Sequence, residues 1–398
     1  MLELVTRLTR SDVSPPTLDL LARRVDRLCR DYPVRPAPEL LGEVRGWLDR
    51  TLGLLEGRTS LPAHRELLVS AGWLAALVAC LHYDTGDADG AERWREATST
   101  LGAEAGHAEI TGWSHEIAAW MALTCDRTAD ALTHAQAGQR IDGTSCVAVQ
   151  LAAQEARAAA KLGDRAAAEH AMARGRRVLD RLPNPVHPDH HFVVDPAKAN
   201  FYAVDVYRWL GADAAAESFA RGVLEHSVGP DGAIRAPMRR SEALLTLGTV
   251  AARRGELDVA VGHGLPALGD PRQCKPSLLL VAADLDAELG AHRGEAVIEP
   301  WHTILAEVHP AAGGQLTGDT RCGVRCRPDQ DRLSMAGGST DQGLSSATGR
   351  SRGQTWACST APPAWRWPCT PPHPTRHRCR GGTPACSLTD SDTGSISP

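Results

Sequence analysis

The sequence predicts an all-α chain built as a stack of helical hairpins. Three observations carry that prediction. Aromatic residues are only 4% of the chain, and few stretches show the β-branched alternation that strands need. Gln150 to Ala171, reading QLAAQEARAAAKLGDRAAAEHA, sets two Ala-rich helical runs on either side of a Gly163-Asp164 turn. A unit of turn followed by small residue then recurs five times in register along the chain.

Taken in order, a short opening helix ends at a break formed by Ser14-Pro15-Pro16, where Pro16 suits a helix start. Leu18, Leu21, Val25, Leu28 and Tyr32 follow at three- and four-residue steps and mark one buried helical face. Pro33, Pro36 and Pro38 lead into a second helix with Leu40, Leu41, Val44, Trp47, Leu48, Leu52 and Leu55 on its face, up to Gly57. Thr59 or Ser60 can cap a third helix, with Pro62 in its first turn. Residues 1–62 therefore read as a helical adaptor or linker, and residues 63–310 as the repeat domain.

Aligned on their turns, the hairpins read Gly86…Ala91, Asp126…Ala131, Gly163…Ala168, Gly211…Ala216 and Gly255…Ala260. Successive alanines lie 40, 37, 48 and 44 residues apart. Seven positions before each turn stands another small residue, Ala79, Ala119, Ala156 or Gly248, with Val204 the exception. Small residues at both places let the two helices of a hairpin approach closely. The pattern resembles the tetratricopeptide repeat, a helix-turn-helix of about 34 residues. The longer spacing here predicts insertions in the loops between hairpins. The largest is Leu182 to Asp195, LPNPVHPDHHFVVD, in which three prolines forbid regular helix and Asp195-Pro196 reads as a cap and first-turn proline. Helix Ala197–Leu210 then carries the densest aromatic cluster, Phe201, Tyr202, Tyr207 and Trp209. Pro276 to Leu289 and Glu299 to His309 are expected to cap the stack.

Beyond Ala311 the composition changes. Residues 311–398 have no Phe, no Tyr and no helical periodicity, which predicts disorder. They also have neither Lys nor Glu, with isolated Trp and Cys, and resemble GC-rich DNA translated in a shifted frame. They carry ten Arg and six Asp, or +4, so the rest of the chain carries −9 within a total of −5. A body this acidic is a poor phosphate binder, and direct DNA binding is not expected. No run of about 18 apolar residues predicts a membrane span, and the N-terminus lacks the apolar core of a signal peptide. Cys29, Cys80, Cys125, Cys146 and Cys274 are scattered singly, the pattern of small buried residues in a reducing cytoplasm.

Motifs for catalysis are sparse. There is no P-loop, no dinucleotide-type glycine fingerprint, no G-x-S-x-G and no H-E-x-x-H, and no cofactor is implied. His187, His190, His191 and Asp195 have metal-ligand side chains, although a metal would need them to converge. The bland alternative is a polar loop whose histidines bond to backbone or line a groove. The tail cysteines, from Cys322 and Cys326 to Cys386, lack the paired spacing of a zinc module. Glu116 with its neighbouring tryptophans, or Asp205 with Arg208, serves packing and ion pairing as readily as acid–base chemistry.

A binding groove is the stronger expectation. In a superhelix of hairpins the first helices line the concave face. Counting from the turns puts Trp113, Glu116 and Trp120 there from the second hairpin, and Gln150, Gln154 and Arg157 from the third. The fourth supplies Lys198, Tyr202, Asp205 and Arg208, with His190 and His191 arriving from the preceding loop. Aromatic and amide groups beside opposed charges suit a peptide or a small polar ligand.

Several strings occur together: LCRDYP, HRELLVSAGWLAALVACLHYDTGD, AGHAEITGW, VQLAAQEARAAAKLGDRAAAEHA and HHFVVDPAKANFY. Residues 1 to about 310 on this account resemble the C-terminal sensor region of bacterial XRE-type helix-turn-helix transcriptional regulators. The resemblance implies a tetratricopeptide-like array preceded by a small DNA-binding domain, and the present chain begins inside the linker between them. It implies a cytoplasmic effector-binding or dimerisation part of a regulator, with a peptide, protein or small molecule as partner. A general protein-interaction scaffold and a metal-dependent hydrolase using the His187–Asp195 loop are the alternatives.

Overall fold

A computed structural model describes residues 10–308, and these form an all-α superhelix of helical hairpins. The opening helix before Ser14 falls largely outside the described residues, and the disorder expected of residues 311–398 falls wholly outside them. Two front helices, α1 (Pro15–Asp31) and α2 (Ala37–Leu55), precede five hairpins. The hairpins are α3 (Leu61–Asp84) with α4 (Ala88–Glu104), α5 (Ala108–Thr124) with α6 (Thr128–Ile141), and α7 (Cys146–Lys161) with α8 (Arg165–Leu179). They continue with α9 (Pro196–Trp209) and α10 (Asp213–His226), then α11 (Pro237–Arg253) and α12 (Leu257–Leu268). Helices α13 (Lys275–Leu289) and α14 (Glu299–Val308) complete the array.

The repeat register read from the sequence is the register of the structure. Gly86, Asp126, Gly163, Gly211 and Gly255 all have positive φ, between 62° and 86°. Asp126 is the one non-glycine among the described residues to do so, and its carboxylate also pairs with Lys161 at 2.7 Å. The five alanines after the turns are completely buried, as are Ala79, Ala119 and Ala156 before them. At Gly248 a methyl group would sit 3.0 Å from the carbonyl oxygen of Ala260 on the partner helix, so the two backbones are nearly in contact. Local caps set the helix starts. Ser14, Ser60, Asp87, Asp164 and Asp195 each accept a bond from a backbone N–H in the first turn.

Two expectations need correction. The extra repeat length lies in loops only at 180–195 and 227–236; in the first hairpins the helices themselves are long, and the loops at 105–107 and 142–145 are short. Leu52, expected on the buried face of α2, is exposed, and the neighbouring Thr51, with no exposed surface, takes the inward position. Helix α3 is long and apolar enough to cross a membrane by length and composition, and 89% of that window is buried within the stack. Cys29, Cys80 and Cys274 are buried free thiols, and Cys146 is buried as well.

The front helices do not form a core of their own. Leu28, Leu40 and Val44 join one continuous apolar cluster with Leu74, Trp113 and Phe192 of the array. At the far end α13 is more than a cap. It packs on α11 and also reaches back to α3 and α5, so the first helices of the hairpins close into a ring.

Candidate functional site

Two contacts latch the ring. Arg272, in the loop before α13, donates to the Tyr32 carbonyl at 2.9 Å and to Asp84 Oδ2 at 2.8 Å. The Trp120 indole N–H donates to Ser277 Oγ at 2.8 Å, joining α5 to α13. The loop at 180–195, whose histidines were expected to bond to backbone or line a groove, plugs one end of the ring. Phe192, Val193 and Val194 are buried, and Phe192 packs between the rings of Trp73 and Trp113 at 5.2 and 5.1 Å. Its backbone is tied down by His191 N–H donating to the Cys29 carbonyl at 3.0 Å.

Inside the ring lies a half-open cavity of about 110 Å³. Its lining draws on α5, α7, α9, α11, the plug loop, the end of α1 and the start of α13. Nine of the residues expected on the concave face meet there: Glu116, Trp120, Gln150, Gln154, Arg157, His190, His191, Lys198 and Tyr202. Three do not reach it. Trp113 lies behind Lys198, whose ammonium sits 5.5 Å above its ring, and Asp205 and Arg208 form an ionic layer behind the wall. Helical periodicity gives the face on which a side chain sits but not how deep it lies.

A polar chain runs from the cavity into that layer. Glu116 Oε1 accepts from Gln150 Nε2 at 3.0 Å and from Gln154 Nε2 at 2.7 Å. Gln150 also donates to the Tyr202 hydroxyl. Arg157 donates to Gln154 Oε1 at 2.9 Å and pairs with Asp205 at 2.6 Å. Arg208, with no exposed surface, bridges Asp205 at 2.6 Å, Thr246 at 2.7 Å and Asp284 at 3.0 Å. The Trp209 indole N–H closes the chain on Asp284 at 2.9 Å. One side-chain network thus ties α5, α7, α9, α11 and α13 together, and it holds the lining side chains in place.

Burial dominates the electrostatics. It raises the Glu116 carboxyl above its usual range, and the Gln154 and Gln150 bonds pull it back only in part. Burial, with Asp205 adding repulsion, lifts Glu242 to about 8. Burial lowers Lys198 to about 8, with Arg239 pushing the same way. Burial also pushes Tyr202 up. Asp205 shows the opposite balance: burial alone would raise it, but Arg208 and Arg157 hold it below the usual carboxylate range.

The metal reading of the loop finds no geometry to support it. His190 is lowered by burial to about 3, and its Nδ1 accepts from the Phe192 N–H at 3.2 Å. His191 packs its ring on Tyr32 at 3.9 Å, and Asp195 caps α9 through the Lys198 N–H at 2.8 Å. These side chains serve the loop and are not brought together, and among the described residues no group of three His, Cys, Asp or Glu could hold a metal ion.

No known family model matches this chain, and neither does any curated protein.

The lining also contains residues that the sequence reading did not place at a site, above all Tyr32, Met238, Arg239, Glu242 and Ser277. One had a signal. Gln150 and Lys198 stand thirteen positions before the turns at Gly163 and Gly211, and the same count before Gly255 lands on Glu242. A second cavity, about 340 Å³, lies against α7, α8, α9 and α10 and is lined chiefly by apolar groups such as Met172, Val206 and Phe219. It is larger, but it lacks the convergent buried polar groups that orient a ligand.

Proposed function

We propose that this chain is the effector-binding part of a bacterial transcriptional regulator and acts in the cytoplasm by taking a small polar ligand, or the end of a peptide, into the ring cavity. One observation carries the reading. A cavity at the centre of a closed helical ring is walled by amide, aromatic and charged groups of both signs, fixed by a network that spans five helices. Organised polarity around an opening is the property of a binding site, since an apolar filling would stabilise the fold at lower desolvation cost. The regulatory part of the proposal leans on the resemblance to XRE-type sensor regions. Four of the lining residues that make up the polar wall, Gln150, Gln154, Arg157 and Lys198, come from the strings that carry that resemblance.

The test combines binding with regulation. Trp120 lines the cavity, so a saturable change in tryptophan fluorescence reports occupancy. A cavity variant such as Gln154→Leu, shown to be folded by circular dichroism, is then compared with a gene deletion by transcript profiling. The proposal expects the variant to lose the fluorescence response and to reproduce the deletion profile. Full complementation by a variant that no longer binds would overturn it.

A further inference from the structure

Six charged side chains face the cavity, three acidic and three basic: Glu116, Glu242, Asp189, Arg157, Lys198 and Arg239. Most are spent on neighbours. Glu116 is held by two amides, Arg157 by Asp205 and Gln154, and Lys198 by the backbone carbonyls of His191 and Val193. Asp189 is exposed at the mouth, where water satisfies it. Glu242 and Arg239 are different. They stand one helical turn apart on α11 and both line the cavity, yet they form no ion pair with each other or with any described residue. Such i, i+3 neighbours ordinarily pair across their turn. Glu242 is only 8% exposed, and it turns what surface it keeps to the cavity. On the same cavity lining, the Gln150 side-chain oxygen is buried without a hydrogen-bond partner, although its amide nitrogen is used twice. A buried acceptor left unpaired costs on the order of 1–3 kcal/mol, which a ligand donor would recover.

We infer that the cavity takes a compact zwitterion, a free α-amino acid, whose ammonium group binds Glu242 and the Gln150 oxygen while its carboxylate binds Arg239. Phe201, Tyr202, Met238 and Trp120 supply an apolar wall for the ligand side chain, which selects aliphatic or aromatic amino acids over charged ones. The ligand's ammonium and carboxylate complete the charge pairing that α11 leaves open. This inference rests on the reading of the cavity as a binding site and names its ligand class.

The experiment is isothermal titration of the full chain with the twenty L-amino acids, followed by the amide and N-acetyl derivatives of the best binder. The amide removes the carboxylate and the N-acetyl form removes the ammonium. The free amino acid is expected to bind, and each derivative to bind at least roughly tenfold more weakly, the loss of one charge-assisted pair. Glu242→Gln is expected to erase the penalty for N-acetylation, and Arg239→Gln the penalty for amidation. Derivatives that bind as tightly as the free amino acid would overturn the zwitterion assignment while leaving the cavity a binding site. No binding by any amino acid at about 10 mM, with saturable binding of short peptides or uncharged compounds that Gln154→Leu abolishes, would likewise overturn the assignment alone. No saturable binding by any of these would overturn both.

Discussion

Replacing Arg272 by Met should open the ring. The guanidinium, from the far end of the array, reaches two partners at its front, the Tyr32 carbonyl and the Asp84 carboxylate, and its side chain is 5% exposed. Asp84 has no exposed side-chain surface, and its other strong partner is the Tyr32 hydroxyl at 3.0 Å. Removing one member of a buried pair leaves the other charge uncompensated, which typically costs about 3–5 kcal/mol. Removing both, as in Arg272→Met with Asp84→Leu, should recover most of that loss because the desolvation cost disappears with the charge. The pH dependence has a definite sign. Burial raises the Asp84 carboxyl in the folded state, and Arg272 opposes it. A raised folded pKa favours folding at low pH, and the benefit is lost as pH rises through it. Without Arg272 the carboxyl rises further, so the variant's deficit should be deepest near pH 8 and shrink towards pH 5. Urea denaturation followed by circular dichroism, run as a double-mutant cycle at both pH values, measures this. A loss below about 1 kcal/mol in the single variant, or a double variant no more stable than the single one, would refute the latch.

Three further outcomes follow from the same geometry. Gly163→Ala should cost about 1 kcal/mol because its φ of +80° disfavours an L side chain despite open space around it, whereas Gly262→Ala, within helix α12 and equally unobstructed, should gain about 0.5–1 kcal/mol; thermal melts of the two variants should move in opposite directions. Ala168→Leu should lose roughly 1–3 kcal/mol by forcing α7 and α8 apart, and an unchanged melting temperature would contradict the close approach. Glu242 is raised to about 8, so its contribution favours the fold most fully below the ordinary carboxyl value and is lost as pH rises to about 8; Glu242→Gln should flatten the decline in stability between about pH 5 and pH 8.

The parts of this molecule that were readable from its sequence are those set by short-range physics. A turn that needs positive φ announces itself through Gly86, Gly163, Gly211 and Gly255, and Asp126 tolerates the same conformation. Two helices that touch announce themselves through Ala156 and Ala168, because nothing larger fits. Ring closure had no such signal. Trp120 meets Ser277, and Arg272 meets Tyr32, across more than a hundred residues, and no local spacing encodes those pairs. On the α11 side of the cavity, Glu242 stood at the same thirteen-residue offset from its turn as Gln150 and Lys198, whereas Arg239, sixteen residues before Gly255, had no such counterpart. The plugging role of the 180–195 loop was not legible, because its prolines and histidines show only that it is polar and not helical, whereas Phe192, Val193 and Val194 carry it inward.

The central claim is that the ring cavity is where this chain binds its effector, and a crystal structure of the chain with its tightest amino-acid ligand tests it most directly. The account predicts density inside the ring, with the ligand's ammonium on Glu242 and Gln150 and its carboxylate on Arg239. Density in the larger apolar cavity between α7 and α9, with the ring left empty, would contradict it.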